Sequence, residues 1–250
     1  MKKKLYILIL VLILVLVAGY FINKKFSGVP KPEASTVALE SPSPSSSIIP
    51  TPFPPPSSNS DEIPSSFLIK NFPFQSQAPF GNWDKLHDEA CEEAAVSLVQ
   101  YWEKNKTLSA EIMDDQILKM VDWEVQNWGS HKDLTAKETQ SLAENYYNLD
   151  SKLYYDITIN DIKKQVAQDN PVIIPTAGRL LGNPYFRSPG PIYHMLVVIG
   201  YEGNNIIVQD IGTRRGDHYK YNKEVLYNAI HDWNGSDESM NSGRKAMLVF

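Results

Sequence analysis

At Asn170-Pro171 the chain changes its hydrophobic period, and that change limits the architecture more than any other feature. Upstream, apolar residues recur at spacings of three and four: Ala94, Ala95, Leu98 and Tyr101 or Trp102 behind Cys91, then Ile112, Ile117, Met120 and Val121 within 108–123. Such stripes mark helices with one buried face. Ser109 is placed to cap the second helix. Thr135-Ala136-Lys137-Glu138 is a capping-box pattern opening a third, to about Tyr147, and 161–168 reads as a short fourth. Downstream, Val172 to Pro175, Ile192 to Tyr201 and Asn205 to Asp210 are strand-like runs, with Gly203-Asn204 as a turn. Tyr219 to Tyr221 and Ala246 to Phe250 extend the pattern, with a short helix at 223–231 between them. Helices first and antiparallel strands afterwards predict an α+β domain, a helical N-terminal half packed on a C-terminal antiparallel sheet.

The domain begins late in the chain. Met1 is followed by three lysines, and Leu5 to Ile22 is an apolar or weakly polar run of 18 residues before Asn23-Lys24-Lys25. This is long for a cleaved signal and just long enough to span a bilayer, so residues 1–25 are expected to be a single transmembrane anchor, with a secreted protein after signal cleavage as the alternative. The basic head places residues 26–250 outside the cytoplasm. Residues 28–66 hold 10 of the 17 prolines and long Pro/Ser runs, which cannot bury enough apolar surface to order themselves. The span 26–66 therefore reads as a disordered linker and 67–250 as one folded domain, with a short strand between Phe67 and Phe74. Residues 1–60 carry six lysines and two acidic residues, leaving 18 basic and 27 acidic residues, a net of −9. A domain that acidic argues against a nucleic-acid partner.

Cys91 is the sole cysteine, which excludes an intrachain disulfide framework and a multi-cysteine metal site. It follows an irregular loop and stands at a predicted helix start, with Asp88 as N-cap candidate and Glu92 and Glu93 in the first turn. Helix N-termini favour thiolates, the form that attacks carbonyl carbon. His194 is the histidine that falls inside a clear strand, and Asp210 ends the next one. With a three-residue hairpin loop, 201–203, the two side chains face each other; a loop of even length sends them to opposite faces. Cys91, His194 and Asp210 then form a nucleophile, a base and the acid that orients the base. The pairing of thiolate with imidazolium predicts a thiol titrating below about 8.5, with Glu92 and Glu93 turned partly to solvent. His87, His131, His218 and His231 are rivals for the base. No histidine pair has metal-ligand spacing, so neither metal nor other cofactor is expected.

The stretches NFPFQSQAPFGNWDKLHDEACEEAA, NPVIIPTAGRLLGNPYF, YHMLVVIGYE, VQDIGTRRGDHYKY and AIHDWN together resemble the stand-alone, bacteriocin-processing-like relatives of the bacterial double-glycine leader peptidases. The resemblance covers about 185 residues and implies a papain-like cysteine peptidase fold. It places nucleophile, base and acid on Cys91, His194 and Asp210. It further implies a glutamine donating to the oxyanion, for which Gln77 fits best and Gln75 is the rival. Members fused to export transporters usually carry glycine after the cysteine; here Glu92 follows, and no leader-peptide substrate carries over. The expectation is a membrane-anchored extracytoplasmic cysteine peptidase acting on a peptide or protein substrate. The alternatives are a catalytically inactive, peptidase-like binding domain tethered to the surface and a thiol transpeptidase or acyltransferase.

Overall fold

The computed structural model describes residues 63–250. The anchor expected at 1–25 and nearly all of the linker expected at 26–66 lie outside these residues. No helix among the described residues is long and apolar enough to cross a membrane.

The order is β1 (Ser66–Leu68), α1 (Lys85–Asp88), α2 (Cys91–Glu103), α3 (Ala110–Trp128), α4 (Ala136–Tyr147), β2 (Lys152–Tyr155), α5 (Ile159–Val166), β3 (Val172–Ala177), β4 (Tyr193–Glu202), β5 (Asn205–Gln209), β6 (Tyr219–Asn222), α6 (Lys223–Ala229) and β7 (Ala246–Val249). The expected α+β layout is present. Capping fixes the helix boundaries: Ser109 Oγ accepts from Ile112 N at 3.2 Å, and Thr135 and Glu138 form the reciprocal box expected of them. A second box, Thr158 with Asp161, starts α5 two residues ahead of the expected position.

The start of α2 differs from expectation. Asp88 does not cap it; Asp88 closes α1, whose own cap is Asp84, and Ala90 precedes Cys91 with no side-chain cap bond. The helix is also more enclosed than a one-faced stripe implies. Every residue from Cys91 to Val99 is buried, because α3, α4 and β4 all pack on it.

The sheet runs β2-β7-β3-β4-β5-β6, with β1 also on β4, and every pairing is antiparallel. β4 is its axis: nine of its ten residues are buried. β3 pairs along Tyr193–Val198 and β1 along Gly200–Glu202. A Cβ on Gly200 would stand 2.7 Å from the Phe67 carbonyl oxygen, so only glycine lets β1 approach.

The β4–β5 hairpin settles the geometry of the site in an unexpected way. Its loop holds two residues, Gly203 and Asn204, with Glu202 opposite Asn205, and not the three residues that facing side chains required. The register then slips by one between Val198 and Gly200, a β-bulge at Ile199. An even loop alone would put His194 and Asp210 on opposite faces; the extra residue reverses that parity and returns them to one face.

Candidate active site

His194 lies on β4 opposite Thr176 of β3 and is 1% exposed. Its Nε2 is 3.0 Å from Asp210 Oδ1. Asp210 is fully buried, and each of its oxygens has two donors. Oδ1 faces His194 Nε2 and accepts from Gly212 N at 3.1 Å; Oδ2 accepts from Asn183 Nδ2 at 2.8 Å and from Tyr221 Oη at 2.6 Å. A buried carboxylate is tolerable when its lone pairs are used in this way. Burial and the Asp210 charge raise the pKa of Tyr221, keeping its hydroxyl a donor. Phe186 meets the imidazole edge-on, with ring centroids 5.4 Å apart. A Cβ at Gly212 would lie 2.9 Å from the imidazole and 3.0 Å from the Phe186 ring, so bare backbone is required there. Asn183 and Tyr221 were not singled out in the sequence, although both fall in the family-like stretches NPYF and HYKY. Their only signal was that membership.

His194, Gln77 and Gly212 line one cleft of about 320 Å³, with Trp83, Asp88, Glu89, Asp133, Asp237, residues 186–188 and residues 190–193 contributing the rest of its wall. Gln77 is held there by its backbone: Gln77 N donates to the Ile211 carbonyl at 2.9 Å, and Ser76 Oγ donates to the same oxygen at 3.0 Å. The segment carrying Gln77 is thus pinned one residue from Asp210. Its side-chain amide donates to the carbonyls of His87 and Asp88, at 2.8 and 3.2 Å, just ahead of Cys91. Gln75 turns away, donating to the Leu108 carbonyl at 3.3 Å. Between the two glutamines, the one facing the cleft is Gln77.

Cys91 begins α2 as expected, two residues beyond the cleft-lining Glu89, yet its side chain is only 3% exposed and is not itself part of the cleft wall. Its thiol donates to Glu92 Oε2 at 3.1 Å. No hydrogen bond joins it to His194 among the described residues. Burial pushes the Cys91 thiol well up, and the adjacent Glu92 carboxyl pushes it further. The expected depressed thiol pKa is therefore not found in this arrangement. Burial of the thiol is the first reason, and Glu92 and Glu93 add to it because they do not reach solvent but are 0% and 1% exposed. The segment between α3 and α4 covers them: Leu134 N donates to Glu92 Oε1 at 2.6 Å, and Leu134 O accepts from Tyr193 Oη at 2.8 Å. One residue, Leu134, thereby ties the residue after Cys91 to the residue before His194. Burial, with Glu93 and Asp133 nearby, holds the Glu92 carboxyl well above the usual range. Asp133 is pushed up to about 7 by burial and by Glu89, and Glu124 to about 11 by burial and by Glu93.

The rival histidines are occupied elsewhere. His87 sits between Asp84 and Asp114, at 2.8 and 3.1 Å, and locks α1 to α3. His218 pairs with Asp217 on the surface, and His231 Nδ1 contacts the Gly243 carbonyl at 2.8 Å. His131 faces Glu93.

The sequence model of the Peptidase_C39 like family matches residues 69–238. The chain belongs to this family. A C39-like peptidase from Bacillus anthracis is similar in structure, with a TM-score of 0.50 and 17% identity over 74% of this chain and 97% of that one. Xylellain, a cysteine protease from Xylella fastidiosa, aligns with a TM-score of 0.35 and 9% identity over 75% of this chain and 86% of that one. Comparison with curated proteins gives no match. The described domain thus has the C39-like cysteine peptidase fold suspected from the family-like stretches. Membership of a peptidase family implies a protein or peptide substrate.

Proposed function

We propose that this protein is a cysteine peptidase that hydrolyses a peptide or amide bond, with Cys91 as nucleophile, His194 as base, Asp210 as orienting acid and Gln77 as oxyanion donor. The observation that carries the reading is the buried His194–Asp210 pair, 3.0 Å apart, with His194 in the wall of a cleft and Asp210 fully hydrogen-bonded. With Nε2 engaged by Asp210, Nδ1 is the nitrogen left to take the thiol proton and later to return it to the leaving amine. Catalysis requires the Cys91 thiol to exchange its bond to Glu92 for one to His194, so the described arrangement is a resting one. Gln77 must likewise release one of its carbonyl partners to donate to the oxyanion. In the cell, the apolar run from Leu5 to Ile22 would hold the domain at the outer face of the membrane.

The test is a digest of a complex peptide mixture by the full chain, with new termini identified by mass spectrometry and Cys91→Ala as control. A set of cleavages with a shared sequence preference, absent in the control, is expected. Identical peptide inventories for the two proteins, together with no Cys91 labelling by a thiol-directed peptidase inhibitor, would leave only the tethered binding domain.

A further inference from the structure

A second group of functional side chains stands at the junction of α2, α3 and the segment that follows α3, outside the proposed catalytic machinery. Glu93 is 1% exposed and Glu124 is fully buried. None of their four carboxylate oxygens, all out of contact with solvent, has a hydrogen-bond donor. One oxygen of each carboxylate and one ring nitrogen of His131 lie within 4.8 Å of one another. His131 Nε2 is 3.1 Å from Glu93 Oε1 and also 3.1 Å from the Glu89 carbonyl oxygen. The hydrogen-bond direction favours the carbonyl, so the contact with Glu93 is one of proximity without an aligned donor. Among the described residues no lysine or arginine pairs with Glu93 or Glu124.

Each uncompensated buried carboxylate costs several kcal/mol on the order given by ion desolvation. Two such groups stand side by side in a folded protein when a shared proton or a cation joins them, and no oxygen of either carboxyl has an aligned donor here. We propose that Glu93, Glu124 and His131 bind one divalent first-row transition-metal ion, with the Glu89 carbonyl as a further oxygen ligand. Two ligands about 2.1 Å from one ion, at a right angle, stand about 3 Å apart, which is the spacing of Nε2 from both of its oxygen neighbours. An imidazole with two carboxylates suits manganese or zinc and disfavours calcium, which takes oxygen ligands alone. The ion would clamp the first turn of the helix that Cys91 opens to the last turns of α3. Ligand spacing in the sequence could not show this site, because its members come from a helix start, a helix end and a loop.

The site stands independently of the peptidase reading, and its test does not use activity. Full-length protein stripped with a chelator is titrated with manganese chloride, and the free ion is followed by its paramagnetic resonance signal. Manganese is the probe because a thiol–imidazole pair competes poorly for it. One tight manganese ion per chain is expected, undiminished in Cys91→Ser. Glu124→Gln and His131→Ala should each weaken it by about 100-fold or more, beyond the usual loss for an outer partner. No tight uptake by the wild type overturns the proposal, whether or not the variants fold. So does uptake of equal affinity in both variants. No uptake combined with a higher melting temperature for Glu124→Gln would mean that a shared proton, and no metal, joins the two carboxylates. Should Glu124→Gln fail to fold, His131→Ala decides, since its ring lies nearer the surface, 12% exposed.

Discussion

Asp210 and Glu124 are both fully buried carboxyl groups, and the protein treats them in opposite ways. Around Asp210 every lone pair finds a donor: an imidazole, a backbone amide, an asparagine and a tyrosine. Around Glu124 and its neighbour Glu93 no oxygen finds one. The sheet side of the molecule is finished by its own side chains, so base and acid are held before any substrate arrives. The helix side buries Glu92, Glu93 and Glu124 together, with His131 3.1 Å from Glu93 and no donor aligned on any oxygen of Glu93 or Glu124. Rigid positioning therefore belongs to the strands, and adjustment belongs to the nucleophile's surroundings.

The sharpest way to break this contrast is to remove the groups proposed to react. Cys91→Ala and His194→Ala should each lower turnover by about 10⁴-fold or more with the fold retained, measured on a cleaved peptide. Comparable turnover in either variant would dissolve the division of labour between strand and helix. Next comes Asp210. Asp210→Ala strips partners from four donors at once and should lower both turnover, by about 10³-fold, and the melting temperature; Asp210→Asn keeps an acceptor for His194 and should lose less of each. If the two variants rank the other way, Asp210 is not an orienting group. Tyr221→Phe deletes the 2.6 Å bond to Asp210 and the 2.9 Å bond that Tyr221 Oη accepts from Asn183 Nδ2, and should cost about 2 kcal/mol of stability and roughly tenfold in turnover. An unchanged melt would mean that the satisfied network does not stabilise the sheet side. The smallest effect is expected at Glu92. The Cys91 thiol is raised first by burial and second by the Glu92 charge, so Glu92→Gln removes part of the upward push. The profile of alkylation rate against pH should move to lower pH by less than a unit, with its shape preserved. A shift to higher pH would mean that Glu92 assists the thiolate as a donor.

The legible parts of this fold are those set by local chemistry. Thr135 with Glu138 and Ser109 mark their helices because capping is decided within four residues. The sequence pairs His194 with Asp210 only through a three-residue loop that the hairpin does not have, and it is the bulge at Ile199, which strand alternation does not announce, that keeps them on one face. What was not legible depends on partners distant in the chain. β2 exists because Lys152–Tyr155 pairs with Ala246–Val249, and nothing in the segment itself announces that. Glu92 and Glu93 look like ordinary first-turn acids and are buried by partners distant in the chain, the packed elements α3, α4 and β4 and the segment that carries Leu134. Asn183 and Tyr221 reach Asp210 from separate parts of the chain. Asp88 looks like the cap of α2 because a one-turn helix ahead of it was not visible in a four-residue window.

The bulge at Ile199 sets a grammar for insertion and deletion. A hairpin with a two-residue turn and one bulged residue aligns the same two side chains as an unbulged hairpin with a three-residue turn. Losing one residue at Ile199 and gaining one beside Gly203 would cancel, whereas either change alone would swing Asp210 to the far face of the sheet and leave His194 without its partner. Chains built on this hairpin can therefore vary in length by compensated pairs of changes, and a lone single-residue change on this stretch is the lesion that would silence them.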